Sequence, residues 1–316
     1  MITTYYKALK QINSSNELSL LEELGYDDIL WIDLNCPTGE EKRAIEDYLE
    51  TPLQTRAKAE EIESSSRYSE TENAIFANSE FLIAGAEDYQ EETVSFILAS
   101  GILVTVRNTH LRTFMEIERR LMINPRGYAT GYHLMVSILE NRIDLDADMI
   151  ELLAKEIAQL NKRINAEERI SEEMLYDINQ LQENTMTIRE NIIDKQRMIS
   201  SILKSDKFPS DIFPKLNVMI RDVGSLLNHT DFSFERLEYL QNTVLGLINL
   251  EQNKIIKVFT VVTVFFMPPT LISSIYGMNV KLPFSETGYW GFASTILFMI
   301  MAFAVTVLYF KRKKLL

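Results

Sequence analysis

The sequence predicts an α+β domain followed by long helices and a two-helix transmembrane hairpin, in a membrane protein that assembles as an oligomer. Three observations lead to this fold class. Strand-like segments occur within the first 135 residues, heptad-spaced apolar residues follow them, and two uncharged apolar segments lie near the C-terminal end. Together they divide the 316 residues into a soluble part and a membrane part.

Residues 1–135 are predicted to form a mixed cytosolic domain. Segments rich in β-branched and aromatic residues predict strands at 29–34, 74–84, 93–100 and 102–107. Thr38 followed by Glu41 predicts a capped helix start, and residues 55–65 have a helix-like composition. The sequence does not determine the strand order, so α/β and α+β layer arrangements both stay open at this point.

Residues 136–214 are predicted to form a long-helix, coiled-coil region, and residues 215–257 a stalk helix. Apolar residues recur there at alternating steps of three and four, interrupted at 204–214 by a segment with two prolines. From Lys215 no proline occurs until Pro268, so the stalk helix is expected to continue into the membrane as a rod of roughly 90 Å. Because such a rod needs packing partners, we expect the protein to be an oligomer.

Two apolar segments are predicted to cross the membrane. Val258 to Tyr276 and Tyr289 to Phe310 carry no formal charge, and each is close to the ~20 residues that a membrane-spanning helix needs. We assign residues 258–279 to a first transmembrane helix, 280–288 to an external loop, 289–310 to a second helix and 311–316 to a basic cytosolic tail. A pair of buried core helices is the alternative. Lys and Arg residues precede the first segment and follow the second, so both termini are expected in the cytosol.

Charge and composition exclude several function classes. The net charge is −13, and residues 1–253 hold 25 basic against 44 acidic residues. Such a surface repels nucleic acid and either attracts cations or simply keeps the domain solvated. The N-terminal residues do not resemble a signal peptide, and Cys36 is the only cysteine, so no intrachain disulfide is expected. We find no phosphate loop, metal-ligand cluster or nucleophile motif, which predicts that the protein is not an enzyme.

A polar stripe runs along the first predicted transmembrane helix. Its members recur at steps of three and four, which places them on one helical face. Thr and Ser side chains in membrane helices often bond to their own backbone, and that is the alternative to a pore. A pore would need several copies around one axis, because a single helix cannot enclose water. The stripe consists of Thr260, Thr263, Met267, Thr270 and Ser274, extended by Asn253 on one side and by Gly277 and Asn279 on the other.

The tripeptide Gly277-Met278-Asn279, placed between the two predicted spans, resembles the signature of the CorA magnesium channels. The string LINLEQNKIIKVFTVVTVFFMPPTLISSIYGMN (247–279) is similar to the stalk-to-pore segment of the gammaproteobacterial members, and YFKRKKLL (309–316) is similar to their ending. Weaker similarity extends through LWIDL, TRAKAEEIESSSRY and IRDVGSLL, so the resemblance covers essentially the whole chain.

This resemblance implies a homopentamer in the bacterial inner membrane, with an αβα cytosolic funnel and one axial pore for Mg²⁺, with Co²⁺ and Ni²⁺ as further candidate ions. It implies that Asn279 rings the outer mouth beside Gly277 and Met278, and that Thr270 and Ser274 lie beneath it. It further implies a constriction at Met267, with Thr263 and Thr260 below it. An inner hydrophobic gate at Ile256 and Phe259 and a polar ring at Asn253 complete the implied pore.

The resemblance also implies a regulatory role for Mg²⁺. Family members hold the ion between a carboxylate on the stalk helix and a carboxylate on the funnel domain of the adjacent subunit. Asp222, within IRDV, matches the stalk position, and Asp88 or Glu91 is the expected partner. The alternative is that these acids only solvate their surroundings.

One departure concerns the external loop. Family members often follow the tripeptide with an acidic-flanked MPEL segment, whereas this loop reads VKLPFSETGYW and has Glu286 as its only carboxylate. Relatives that resemble the zinc transporter ZntB usually carry isoleucine at the middle tripeptide position, so Met278 favours magnesium. A ZntB-like zinc transporter and a membrane-anchored coiled-coil scaffold without transport stay open as alternatives.

Overall fold

The computed structural model describes residues 1–8, 11–53, 67–85, 88–166, 172–278 and 288–313. Within them the chain forms two compact units, Met1–Gln241 and Asn242–Leu316. The predicted helix at 55–65 lies outside the described residues. The first unit contains a mixed sheet and long helices, and the second contains two apolar helical segments, so the predicted α+β class with long helices and two apolar C-terminal helices is confirmed.

Seven strands form one mixed sheet in the order β2-β1-β3-β7-β6-β5-β4. Strands β3 and β7 pair in parallel, and every other neighbouring pair is antiparallel. The strands are β1 (Ile2–Ala8), β2 (Gln11–Ser15), β3 (Ile29–Asn35), β4 (Tyr68–Glu70), β5 (Ala74–Ala84), β6 (Tyr89–Ala99) and β7 (Ile102–Arg107).

Side chains alternate between the two faces of this sheet, because successive residues of a strand point in opposite directions. On one face Ile32, Leu34 and Val104 pack with Ile45 and Leu49 of helix α2 (Gly39–Leu49), which follows the short helix α1 (Leu20–Glu23). The predicted capping box begins α2: the backbone N–H of Glu41 donates to Thr38, and the backbone N–H of Thr38 donates to the carboxylate of Glu41.

Aromatic rings cover the other face. Trp31 stacks on Tyr5 and contacts Phe114 of helix α3 (Arg112–Ile123), and Phe114 also contacts Phe81 of β5. Helices α4 (Gly131–Ala166) and α5 (Glu172–Leu203) also lie on this side, since Arg142 of α4 and Lys195 of α5 lie 5.3 and 5.9 Å from the centre of the Phe81 ring. The sheet therefore lies between two helical layers, which is the αβα arrangement.

A buried charge network joins α4 and α5 to the sheet. Asp146 lies 1% exposed between two cations, with Oδ1 2.8 Å from Nε of Arg142 and Oδ2 3.1 Å from Nζ of Lys195. Nζ of Lys195 also donates to the carbonyl oxygen of Glu80 in β5 and to Asn191. A buried charge is tolerated only when it is paired in this way.

Helix α6 runs from Phe213 to Tyr276 without a break, and helix α7 runs from Tyr289 to Arg312. Of the two prolines predicted to interrupt the helices, Pro209 precedes α6 and Pro214 lies in its first turn. Both α6 and α7 are long and apolar enough to cross a membrane by length and composition. The predicted division of the soluble part at residues 135, 214 and 257 stays a prediction, since α4 begins at Gly131 and one helix contains both the stalk segment and the first apolar span.

Candidate ion-conduction pathway

The membrane part of α6 has a face that packs against α7. Phe265 contacts the rings of Phe303 and Phe310 at centroid distances of 5.8 and 5.9 Å, and Phe266 also contacts Phe303. The half-buried residues of this segment recur at helical steps and define the covered face. They are Val261, Val264, Phe265, Pro268, Pro269, Ile272 and Tyr276.

The predicted polar stripe lies on the opposite face of the same helix. At 100° per residue, its members centre on a direction well over 90° from the covered face. All of them are exposed in the single chain, as are the residues of the predicted inner gate and polar ring. The exposed set is Asn253, Ile256, Phe259, Thr260, Thr263, Met267, Thr270 and Ser274.

The stripe threonines direct their hydroxyl protons into the helix. Thr260 donates to the carbonyl oxygen of Ile256 at 2.8 Å, Thr263 donates to Phe259 at 2.8 Å, and Thr270 donates to Phe266 at 2.7 Å. The alternative that the sequence left open, bonding to the helix's own backbone, is therefore what these hydroxyls do. A hydroxyl oxygen keeps two acceptor lone pairs when its proton is used, so the stripe presents acceptors outward.

Two prolines interrupt the hydrogen-bond ladder at the middle of this segment. Pro268 and Pro269 have no N–H, so the carbonyls of Val264 and Phe265 lose their usual helical donors. All four residues belong to the face covered by α7. The two missing hydrogen bonds are therefore on the side toward α7, and the prolines remove no backbone hydrogen bond from the stripe side of the helix.

The helix ends at the predicted signature. Gly277 donates its N–H to the carbonyl oxygen of Ser273 at 2.9 Å, and a Cβ at Gly277 would lie 3.2 Å from that same oxygen. The chain therefore turns closely against the last helical turn, and Met278 follows with 58% of its surface exposed. Asn279 and Glu286 lie outside the described residues.

Asp222 of the stalk segment faces acids of its own chain. Burial raises the pKa of the Asp144 carboxyl on α4, and the negative charges of Glu140, Asp148 and Asp222 raise it further, against the opposing effect of Arg120. Glu140, Asp144 and Asp148 are spaced four residues apart on one face of α4. These acids were not among the residues predicted from the sequence, although their four-residue spacing is a signal that places them on one helical face.

Asp88 and Glu91 lie elsewhere in the same unit. Asp88 sits in the turn between β5 and β6, where its carbonyl oxygen accepts from the N–H of Gly85, and it lines a cavity of about 820 Å³ with Leu152 and Glu156 of α4. Burial and the neighbouring Glu80 and Glu190 raise the pKa of Glu91.

The acids of the predicted regulatory pair have different surroundings within one chain. The charge of Asp222 acts on Asp144 of α4, whereas Asp88 lines a cavity with Leu152 of the same helix. Asp144 and Leu152 are eight residues apart, which is about 12 Å along a helix. Among the described residues, no group of three or more His, Cys, Asp or Glu side chains is arranged to hold a metal ion. Within one chain, Asp222 and Asp88 therefore border different parts of α4.

The chain is similar to known proteins along nearly its whole length. Residues 26–312 match the family described as CorA-like Mg²⁺ transporter protein. Over 292 residues the chain is 37% identical to the magnesium transport protein CorA of Wolinella succinogenes, covering 91% of each chain. Over 304 residues it is 32% identical to the protein of that name from Escherichia coli (strain K12), covering 95% of this chain and 96% of the relative.

The fold is similar to a solved structure as well. The complete structure of the CorA magnesium transporter from Methanocaldococcus jannaschii superimposes with a TM-score of 0.82 at 17% identity, covering 99% of this chain and 98% of that one. At this identity the similarity shows a shared fold.

Proposed function

The chain belongs to the CorA-like Mg²⁺ transporter family, and on that premise we propose that it forms a Mg²⁺ channel in the bacterial inner membrane. In this proposal both termini lie in the cytosol, Mg²⁺ is the main ion taken up, and Co²⁺ and Ni²⁺ are accepted as further ions. The number of copies, five, comes from the resemblance. Opening is controlled by cytosolic Mg²⁺.

The observation that carries the proposal is the position of the polar stripe opposite the face covered by α7. The hydroxyl protons of the stripe are used within the helix, but its oxygen lone pairs point outward and lipid tails offer them no donor, so this face suits water or other copies of the same helix. When several copies surround an axis with their α7 helices outside, the stripes meet around that axis. The pore then passes Asn253, Ile256 and Phe259 on the cytosolic side, Met267 at the centre and Asn279 at the outer mouth.

The chemistry of the stripe suits a hydrated cation. The hydroxyls of Thr260, Thr263 and Thr270 present oxygen lone pairs outward, and they bind the hydrogens of a cation's water shell. Mg²⁺ gives up its waters reluctantly, so a wall of acceptors favours its passage without stripping them. The Met267 side chains of the copies together form a ring that narrows the path without adding a charge. This ring closes the path by dewetting.

Regulation is proposed to act through the acids near the stalk. The negative charge of Asp222 contributes to the raised pKa of Asp144, which supports a surface where negative charges repel when no cation is present. Bound Mg²⁺ removes this repulsion between Asp222 and the Asp88 or Glu91 of an adjacent copy, and it favours a closed ring. When cytosolic Mg²⁺ falls, the repulsion loosens the ring and the pore opens.

Flux into liposomes tests the channel itself. The purified protein is reconstituted, and uptake of Mg²⁺, Co²⁺, Ni²⁺ and Zn²⁺ is compared, with the oligomer counted by native mass spectrometry. We expect Mg²⁺ uptake by a pentamer and its loss in Asn279→Ala, because the carboxamides proposed at the mouth are gone. Normal flux in a correctly assembled Asn279→Ala oligomer would exclude the assigned mouth, and a dimer would exclude the pentamer.

A matched pair of threonine variants tests the stripe. Thr270 and Thr306 both donate to the carbonyl four residues earlier, but Thr270 lies on the stripe of α6 and Thr306 lies on α7. Loss of one acceptor per copy should reduce Mg²⁺ flux about tenfold in Thr270→Val. Thr306→Val should leave flux unchanged. Equal effects of the two changes would place the pore elsewhere, and Zn²⁺ uptake without Mg²⁺ uptake would favour a zinc transporter.

A further inference from the structure

Five cationic side chains lie at one end of the helix pair α6 and α7. They are Lys254 and Lys257 on α6 and Lys311, Arg312 and Lys313 at the end of α7, and together they are called the basic cluster here. All five are exposed, and within residues 242–278 and 288–313 the only carboxylate is Glu251. None of the five lies within ion-pair distance of a carboxylate in the described part of the chain.

The aromatic contacts set the level of these charges on the two helices. Phe265 contacts Phe310, and an aromatic side chain on a helix leans toward that helix's N-terminus, so the Cα of Phe310 lies on the cytosolic side of their rings. Lys257 and Lys254 precede Phe265 by about 12 and 16 Å along α6, and Lys254 is only about 20° from it around the axis. Both groups of cations therefore lie on the cytosolic side of the contact between Phe265 and Phe310, with the cations of α7 nearer to that contact than the lysines of α6.

The basic cluster lies where the apolar surface of both helices ends. Val258 on α6 and Leu308 on α7 are exposed apolar side chains next to it, 63% and 65% accessible, and the Tyr309 ring adjoins Phe310. A tyrosine at this depth is typical of the boundary between lipid chains and headgroups. Like charges at the same end of the helix pair repel one another, and a phosphate bound among them reduces that repulsion.

We propose that the basic cluster binds an anionic phospholipid through its phosphate groups. The acyl chains lie along the apolar surface marked by Val258 and Leu308, which a free phosphate cannot use. Cardiolipin is the best match, because its two phosphodiesters can engage the lysines of α6 and the cations of α7 together. The inference rests on the membrane insertion proposed above, and it does not depend on which ion is transported.

Native mass spectrometry of the full-length protein in detergent tests this site. Cardiolipin, phosphatidylglycerol and phosphatidylcholine are titrated in turn, and the bound fraction is counted for each assembled oligomer. We expect cardiolipin to bind most tightly and phosphatidylcholine least. Replacing both lysines in Lys254→Gln/Lys257→Gln should weaken cardiolipin binding about 30-fold, since each lysine near an anionic lipid raises the affinity about fivefold.

Matched variants make the result specific. Lys254→Arg/Lys257→Arg keeps the charge and should keep the lipid, and Lys155→Gln/Lys204→Gln makes the same charge change in the other unit and should have no effect. Equal cardiolipin binding by the wild type and Lys254→Gln/Lys257→Gln would overturn the proposal, as would equal binding of phosphatidylcholine. Displacement of the lipid by inorganic phosphate at equal concentration would show a general anion site instead.

Two further measurements keep the inference separate from the channel and from folding. If Lys254→Gln/Lys257→Gln does not assemble, the wild type is titrated at rising salt, where binding carried by charge must weaken and binding carried by acyl chains alone must not. Mg²⁺ flux is measured in vesicles of phosphatidylcholine alone. Flux without selective lipid binding would refute only the lipid site, whereas lipid binding without flux would refute only the channel.

Discussion

Lys195 provides a stability prediction that depends on pH. Its ammonium is buried between α4, α5 and the sheet, facing Asp146 at 3.1 Å, the guanidinium of Arg142, the carboxylate of Asp194 and the carbonyl oxygen of Glu80. Burial lowers the pKa of Lys195 from 10.5 to about 8, and Arg142 adds to this effect, while Asp146 and Asp194 oppose it. The folded protein therefore releases this proton more easily than the unfolded chain does.

The sign and size follow from proton linkage. Between pH 8 and 10.5 the unfolded chain keeps the Lys195 proton and the folded chain has lost it, so the free energy of unfolding rises with pH across this window. Each pH unit contributes at most about 1.4 kcal/mol, and the whole window about 3 kcal/mol. Below pH 8 both states carry the proton and the contribution is constant. Lys195→Met removes the titrating group and with it the rise.

Thermal melts of the detergent-solubilised protein, recorded from about pH 7.5 to about pH 10, measure the effect. We expect the wild type to gain stability relative to Lys195→Met by several degrees, since 1 kcal/mol shifts the midpoint by about 2–4 °C for a unit of this size. Groups other than Lys195 titrate alike in both proteins and cancel in the difference. Parallel curves for the two proteins would refute the reasoning. Asp146→Asn removes the buried carboxylate that pairs with both Arg142 and Lys195, and it should lower the free energy of unfolding by about 3–5 kcal/mol.

Three other predictions concern regulation, the pore mouth and helix α2. Asp222→Ala should weaken inhibition by cytosolic Mg²⁺ without lowering maximal flux, and an unchanged inhibition curve in patch recordings would remove Asp222 from the sensor. Gly277→Ala should reduce flux in an intact oligomer, because its Cβ would press on a backbone oxygen at 3.2 Å, whereas a Cβ at Gly224 meets nothing within 4 Å and Gly224→Ala serves as the control. Thr38→Ala should cost about 1 kcal/mol of unfolding free energy through loss of the cap, and unchanged chemical denaturation would contradict this.

Strands with strong local composition could be predicted, and strands fixed by their neighbours could not. The apolar runs at 74–84 and 102–107 correspond to β5 and β7 with the predicted bounds. Strand β6 begins at Tyr89 rather than Thr93, because the polar residues Tyr89 to Glu92 pair with the end of β5. Strand β1 was missed because its place depends on distant contacts, such as the stacking of Tyr5 on Trp31.

Some features of the candidate site could also be predicted from the sequence, and others could not. Helical periodicity alone predicts which residues form the stripe, but only the contacts of Phe265 with α7 reveal which face stays uncovered. Burial of Lys195 could not be predicted, since it arises where α4, α5 and β5 meet. The acids around Asp144 could have been found from their four-residue spacing, whereas their approach to Asp222 needed the packing of α4 against α6.

The two prolines of α6 determine the direction in which the helix bends most easily. Their missing hydrogen bonds, at the carbonyls of Val264 and Phe265, lie on the side toward α7, and the ladder on the stripe side is intact. A helix bends away from its prolines, because the side with the missing bonds lengthens and the bonded side shortens. Bending at this point therefore carries the outer segment, with Thr270, toward the side of the stripe. In a ring of copies, the same motion in each would narrow the outer mouth, while straightening would widen it.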